Sequence, residues 1–95
     1  MNVDKAKKRI AKRVQRGFKG FPQISLEYFG TTPDLANKVV VTFLSEENAE
    51  PQKQQFVSKH DVREDEAIQS VIWKIIERAD ANTVLENQEV STDNS

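Results

Sequence analysis

Eight cationic side chains crowd the first twenty residues: Lys5, Lys7, Lys8, Arg9, Lys12, Arg13, Arg16 and Lys19. One acid, Asp4, accompanies them, so this arm carries +7. The rest of the chain holds six bases against fourteen acids, a net of −8, and the total of −1 hides a basic arm on an acidic body. Lysines and arginines at this density suit phosphate contacts, whose affinity comes largely from counterion release. Lys5, Arg9, Lys12 and Arg16 recur at steps of four, three and four, which places them on one face of a helix. Lys5, Lys8, Arg9, Lys12, Arg13, Arg16 and Lys19 are therefore the candidate contacts to a polyanion, nucleic acid first. The alternative is intramolecular: the arm docks on its own acidic body, which then serves a protein partner or a second copy. A membrane partner is not expected, because no bulky apolar residue joins the arm until Phe18 and Phe21.

Three other constellations could do chemistry. His60, Asp61, Glu64, Asp65 and Glu66 gather the only histidine with four acids. A hard cation favours such oxygen ligands, but acids at a helix start have a local electrostatic reason to be there, and no metal is expected. Gly17-Phe18-Lys19-Gly20 resembles in spacing the GxxG loop of KH domains, which joins two helices and clamps a nucleotide backbone. Here the next residues alternate as a strand, so the two glycines are expected to stop a helix. Trp73 lies about 140° around a helical wheel from Ile68, off the centre of its apolar stripe. It either packs or stands out as a protein-contact anchor.

The chain has no cysteine, hence no disulfide, thiolate metal site or cysteine nucleophile. It lacks phosphate-loop, GxSxG and HExxH motifs. A non-catalytic protein without cofactor is expected. The charged start is not followed by an apolar run of signal length, and a cytoplasmic setting is the expectation.

The elements that position these residues follow from periodicity. Residues 3–16 read as a helix, with Val3, Ala6, Ile10 and Val14 on its apolar face. Residues 23–29 alternate as a strand, with Ile24, Leu26 and Tyr28 on one side. Residues 38–44 (KVVVTFL) form the strongest strand and are apolar enough for a central place. Residues 52–58 make a polar third strand, expected at an edge. Residues 62–80 carry the clearest helical stripe: Ile68, Val71, Ile72, Ile75, Ile76 and Ala79. Asp61 and Glu64 are spaced as a capping box at its start.

The order helix–strand–strand–strand–helix resembles that of double-stranded-RNA-binding domains. That resemblance implies phosphate contacts from a lysine-rich start of the last helix. The matching positions here, Arg63, Glu64, Asp65, Glu66 and Ala67, are net acidic.

These readings predict an α+β fold. A three-stranded antiparallel meander carries the C-terminal amphipathic helix on one face, preceded by the basic helix. Residues 1–20 form the arm and 21–81 the body. Residues 82–95 form a polar, acidic tail, expected to be disordered. A body of sixty-odd residues buries only about 60% of its unfolded surface, so a docked helix or a partner is expected to complete it.

Overall fold

The computed structural model describes residues 2–92. Helix α1 spans Val3–Gln15. Strands β1 (Gln23–Gly30), β2 (Lys38–Leu44) and β3 (Gln52–Val57) follow, then a single 3-10 turn at Val62–Glu64. Helix α2 (Glu66–Ala79) and strand β4 (Thr83–Thr92) complete the order. The fold is α+β: two helices cover one face of a four-stranded mixed sheet, ordered β3-β2-β1-β4. No helix among the described residues is long and apolar enough to cross a membrane.

The core follows from the two periodicities. Ile24, Leu26 and Tyr28 of β1 and Val39 and Val41 of β2 alternate onto the covered face. Ile68, Ile72, Trp73 and Ile76 of α2 meet them. Helix α1 adds Ala6 and Ile10, both buried, so the basic arm is docked on the body. Asn2 caps this helix by accepting from the Lys5 amide at 2.8 Å. Gly17, at φ 72°, ends it in the left-handed region that glycine enters without a Cβ penalty.

The largest correction concerns the tail. Residues 83–92, expected to be disordered, form β4, which pairs in parallel with β1 from Gln23↔Thr83 to Gly30↔Thr92. The meander is thus not three-stranded and not purely antiparallel, and the central strands are β1 and β2. Residues 93–95 of the expected tail lie outside the described residues. The reason the strand escapes a pattern search is physical. The inward Val84 and Val90 are separated on the same face by the polar Glu86 and Gln88, and the pairing shifts register between Glu27 and Tyr28, so no apolar alternation marks the strand. As an edge strand it also keeps most of its other side chains in solvent. This added strand also breaks the likeness to double-stranded-RNA-binding domains, whose order ends at the last helix.

The second correction lies at the start of α2. Asp61 caps the 3-10 turn, accepting from the Arg63 amide. Asp65 caps α2 itself, accepting from the Ile68 amide at 3.0 Å. The Asp61–Glu64 capping box does not form, because the Glu64 carboxylate pairs with Lys7 of α1 instead.

Gly30 illustrates close packing at the sheet's end. A Cβ there would stand 1.8 Å from the Leu35 carbonyl oxygen. The turn that bridges Thr32 and Leu35 closes over this position. Backbone cannot yield as a flexible side chain does, so Gly30→Ala is expected to cost about 1–3 kcal/mol. Urea denaturation followed by circular dichroism measures it, and an unchanged midpoint would contradict this packing.

Candidate nucleic-acid interface

The eight cations of the arm divide by their place on α1. Ala6 and Ile10 point inward, with Val14 partly buried against the core. Lys5, Lys8, Arg9, Lys12 and Arg16 are exposed on the helix, and Lys19 is exposed beyond it. From Lys5 to Arg16 the stripe runs about 16 Å along the axis. That matches roughly five phosphates along one strand of a duplex. The helix holds this stripe outward because its apolar stripe is fixed inward, so one set of residues positions the other.

Two cations serve the body instead. Lys7 is half-buried and pairs with Glu64 at 2.6 Å. Arg13 donates to the Ala81 carbonyl at 3.1 Å. Its guanidinium also lies 5.4 Å from the centroid of the Trp73 ring. Arg13, expected among the contact residues, is therefore turned toward the body. Trp73 is only 8% exposed, so the side chain considered as an outward protein contact lies in the core. Arg13 over its ring closes the α1–α2 seam by a cation–π contact.

An aromatic pair missed by the sequence pattern extends the basic face. Phe18 is 61% exposed and meets Phe21 edge to ring, with centroids 5.5 Å apart. It stands between Arg16 and Lys19. The connection that carries it is anchored to β4: the Lys19 amide donates to Thr83 Oγ1 at 2.7 Å. Thr83 Oγ1 in turn donates to the Gly20 carbonyl at 2.7 Å. The Gly17-Phe18-Lys19-Gly20 segment is thus a fixed helix-to-strand connection. An exposed aromatic beside cations is a surface on which a base can stack.

A cleft of about 510 Å³ opens beside the first turns of α1. Side chains distant in sequence meet there: Lys7 and Lys8 from α1, Tyr28 from β1, Asp61 and Arg63 from the 3-10 turn, and Glu86 from β4. Tyr28 is buried, and its hydroxyl donates to Glu86 Oε2 at 2.5 Å. Burial and the neighbouring Glu86 carboxylate push the phenol far above its ordinary range, so it remains a proton donor. Arg63 is gripped by Asp61 at two points, Nε to Oδ1 at 2.8 Å and Nη2 to Oδ2 at 2.5 Å. Gln69, buried, donates to the Val62 carbonyl at 2.9 Å. Only the register of β4 against β1 brings Glu86 to Tyr28, and no local pattern could have found it.

The two-point contact with Arg63 holds the Asp61 carboxyl down at about 2. The backbone amides of Arg63 and Ala36 add to this, while partial burial opposes it. A depressed carboxyl stabilises the fold above its unfolded-state pKa. The contribution is complete above about pH 4 and is lost as pH falls toward about 2. Asp61→Ala is expected to cost about 1 kcal/mol near neutral pH, as for a lost cap. The gap to the wild type should close on acidification across that window. Thermal melts of both chains at several pH values measure it, and a gap independent of pH would remove Asp61 as the acid-sensitive group. Asp65 is also held low, first by the Ile68 amide and then by Ser58. The acids nearest the only histidine therefore have structural duties in helix capping.

No protein-family model, curated protein or solved structure matches this chain.

Proposed function

We propose that this chain is a small non-catalytic module that binds nucleic acid along the outward face of α1. The observation that carries the reading is the paired stripe on one helix. Ala6 and Ile10 are buried on one side, and Lys5, Lys8, Arg9, Lys12 and Arg16 are exposed on the other. Lys7 and Arg13 turn toward the body, whereas Lys5, Lys8, Lys12 and Arg16 stand exposed on the helix. Three acids of the body are also committed: Glu64 to Lys7, Asp61 to Arg63 and Asp65 to the start of α2. They therefore compete weakly with a polyanion. Phe18 supplies a stacking surface at the end of the stripe.

Fluorescence anisotropy of the full chain with labelled single-stranded and duplex oligonucleotides tests this. Binding should weaken steeply and log-linearly with salt. Absence of binding at low salt overturns the reading.

A second reading, self-association or a protein partner, draws on β3. This edge strand keeps five of its six side chains exposed, and Val57 is 70% exposed. A groove of about 330 Å³, lined by Phe43, Gln54 and Ile75 among others, runs beside it. Edge strands of this kind accept a further strand by main-chain pairing. Sedimentation over a concentration series separates the two copies from one, and a monomer throughout excludes the dimer.

A further inference from the structure

From the cleft between α1, the 3-10 turn and β4, we propose a binding site for a small zwitterion, specifically a free α-amino acid. The proposal shares Lys8 with the nucleic-acid reading but rests on Glu86 and Arg63, which that reading does not use. Its basis is which charges remain uncommitted. The cleft is lined by three cations, Lys7, Lys8 and Arg63, and three carboxylates, Asp61, Glu64 and Glu86. Lys7 and Glu64 neutralise each other, as do Arg63 and Asp61. Lys8 and Glu86 are left, and no ion pair joins either to another described residue. Glu86 receives only the neutral Tyr28 hydroxyl, through Oε2. The cleft therefore offers one uncompensated positive and one uncompensated negative group.

The hydrogen-bonding capacity has the same polarity. Arg63 spends Nε and Nη2 on Asp61 and on the Asp34 carbonyl, which leaves Nη1 without a partner among the described residues. A guanidinium already held by three hydrogen bonds keeps its orientation when it takes a further contact. Lys8 and Arg63 Nη1 suit a carboxylate. Glu86, oriented through Tyr28, suits an ammonium group. A phosphate monoester would satisfy the first pair but would bring a second negative charge toward Glu86. A simple amine would leave Lys8 and Arg63 unmatched. A volume of about 510 Å³ lies in the usual range of small-molecule sites.

The test is a titration of the ¹⁵N-labelled full chain with individual free amino acids at millimolar concentration. Acetate, methylammonium and inorganic phosphate serve as single-charge arms. We expect saturable amide shifts at Lys8, Arg63 and Glu86 with at least one amino acid, and no saturation with the single-charge probes. Glu86→Gln keeps an acceptor for Tyr28 and so preserves the fold, yet it should weaken binding about tenfold or more. Lys8→Gln, an exposed change, should do the same. The proposal is overturned if no amino acid shifts these amides. It is equally overturned if acetate, methylammonium or phosphate saturates them alone, or if Glu86→Gln binds as the wild type does. Loss of oligonucleotide binding with retained amino-acid shifts would remove only the nucleic-acid reading.

Discussion

A chain ended after Ala81 is expected not to fold. The residues it would lack look dispensable: they are polar, acidic and mostly exposed. They nevertheless supply β4, the only neighbour of β1 on that side of the sheet. Val84, 1% exposed, fills the core beside Ile24, its partner in register. Burying a side chain of that size contributes about 1.5–3 kcal/mol. The Thr83 hydroxyl bonds the Lys19 amide and the Gly20 carbonyl, and its loss leaves both without that partner. Each such hydrogen bond contributes about 0.5–1.5 kcal/mol net. The ladder to β1 would go as well, and with it the Tyr28 contact to Glu86. Together these losses reach the order of the whole stability of a small domain, about 5–15 kcal/mol. The truncated chain should lose its cooperative thermal transition and its amide dispersion. Retention of a transition within a few degrees of the full chain would show that β4 is not part of the folding unit. Thr83→Val isolates one component of the effect and should cost about 1–3 kcal/mol while the strand remains.

The second large effect is on binding. The combined change of Lys5, Lys12, Arg16 and Lys19 to Gln should weaken oligonucleotide affinity about a hundredfold to a thousandfold at low salt. It should also flatten the logarithmic salt dependence by about 3 to 4 for duplex DNA, since each phosphate contact contributes about 0.9. These four are exposed, and no ion pair or side-chain hydrogen bond holds them among the described residues. The melting temperature should therefore scarcely move, because exposed substitutions usually stay within about 0.5 kcal/mol. Arg13→Gln is the complementary control. It removes the contact to the Ala81 carbonyl and the charge over Trp73, so it should lower stability more than it lowers binding. If the fourfold variant keeps the wild-type salt slope, the outward stripe is not the interface.

Both experiments separate what local pattern encodes from what assembly adds. The α1 stripe was legible because buried and exposed positions repeat every three or four residues along one element. Val39 and Val41 of β2, Ile24 and Leu26 of β1 and Ile68, Ile72 and Ile76 of α2 were legible for the same reason, whereas Val71 of the expected stripe is exposed and Trp73 takes a place in the core. The polar edge character of β3 was legible too. The turn of Arg13 toward the body was not legible, because helical spacing gives an angle but not the neighbour at that angle. Its neighbours, Trp73 and the Ala81 carbonyl, belong to a distant segment. Asp61 failed as the cap of α2 in a similar way: two acids four residues apart both fit the pattern, and the 3-10 turn between them selects Asp65.

By itself, then, the sequence determined an α+β body, its apolar faces and a cationic helix, because each depends on periodicity within one segment. Tertiary structure alone decided that a polar tail is a parallel strand and that the basic helix is docked. It also decided which of the helix's cations remain outward, and it placed Tyr28, Arg63 and Glu86 around one cleft. Those features depend on contacts between distant segments, β1 with β4 more than fifty residues apart and α1 with α2. A contact of that separation leaves no periodic trace in either segment, and burial by the partner is what makes it favourable.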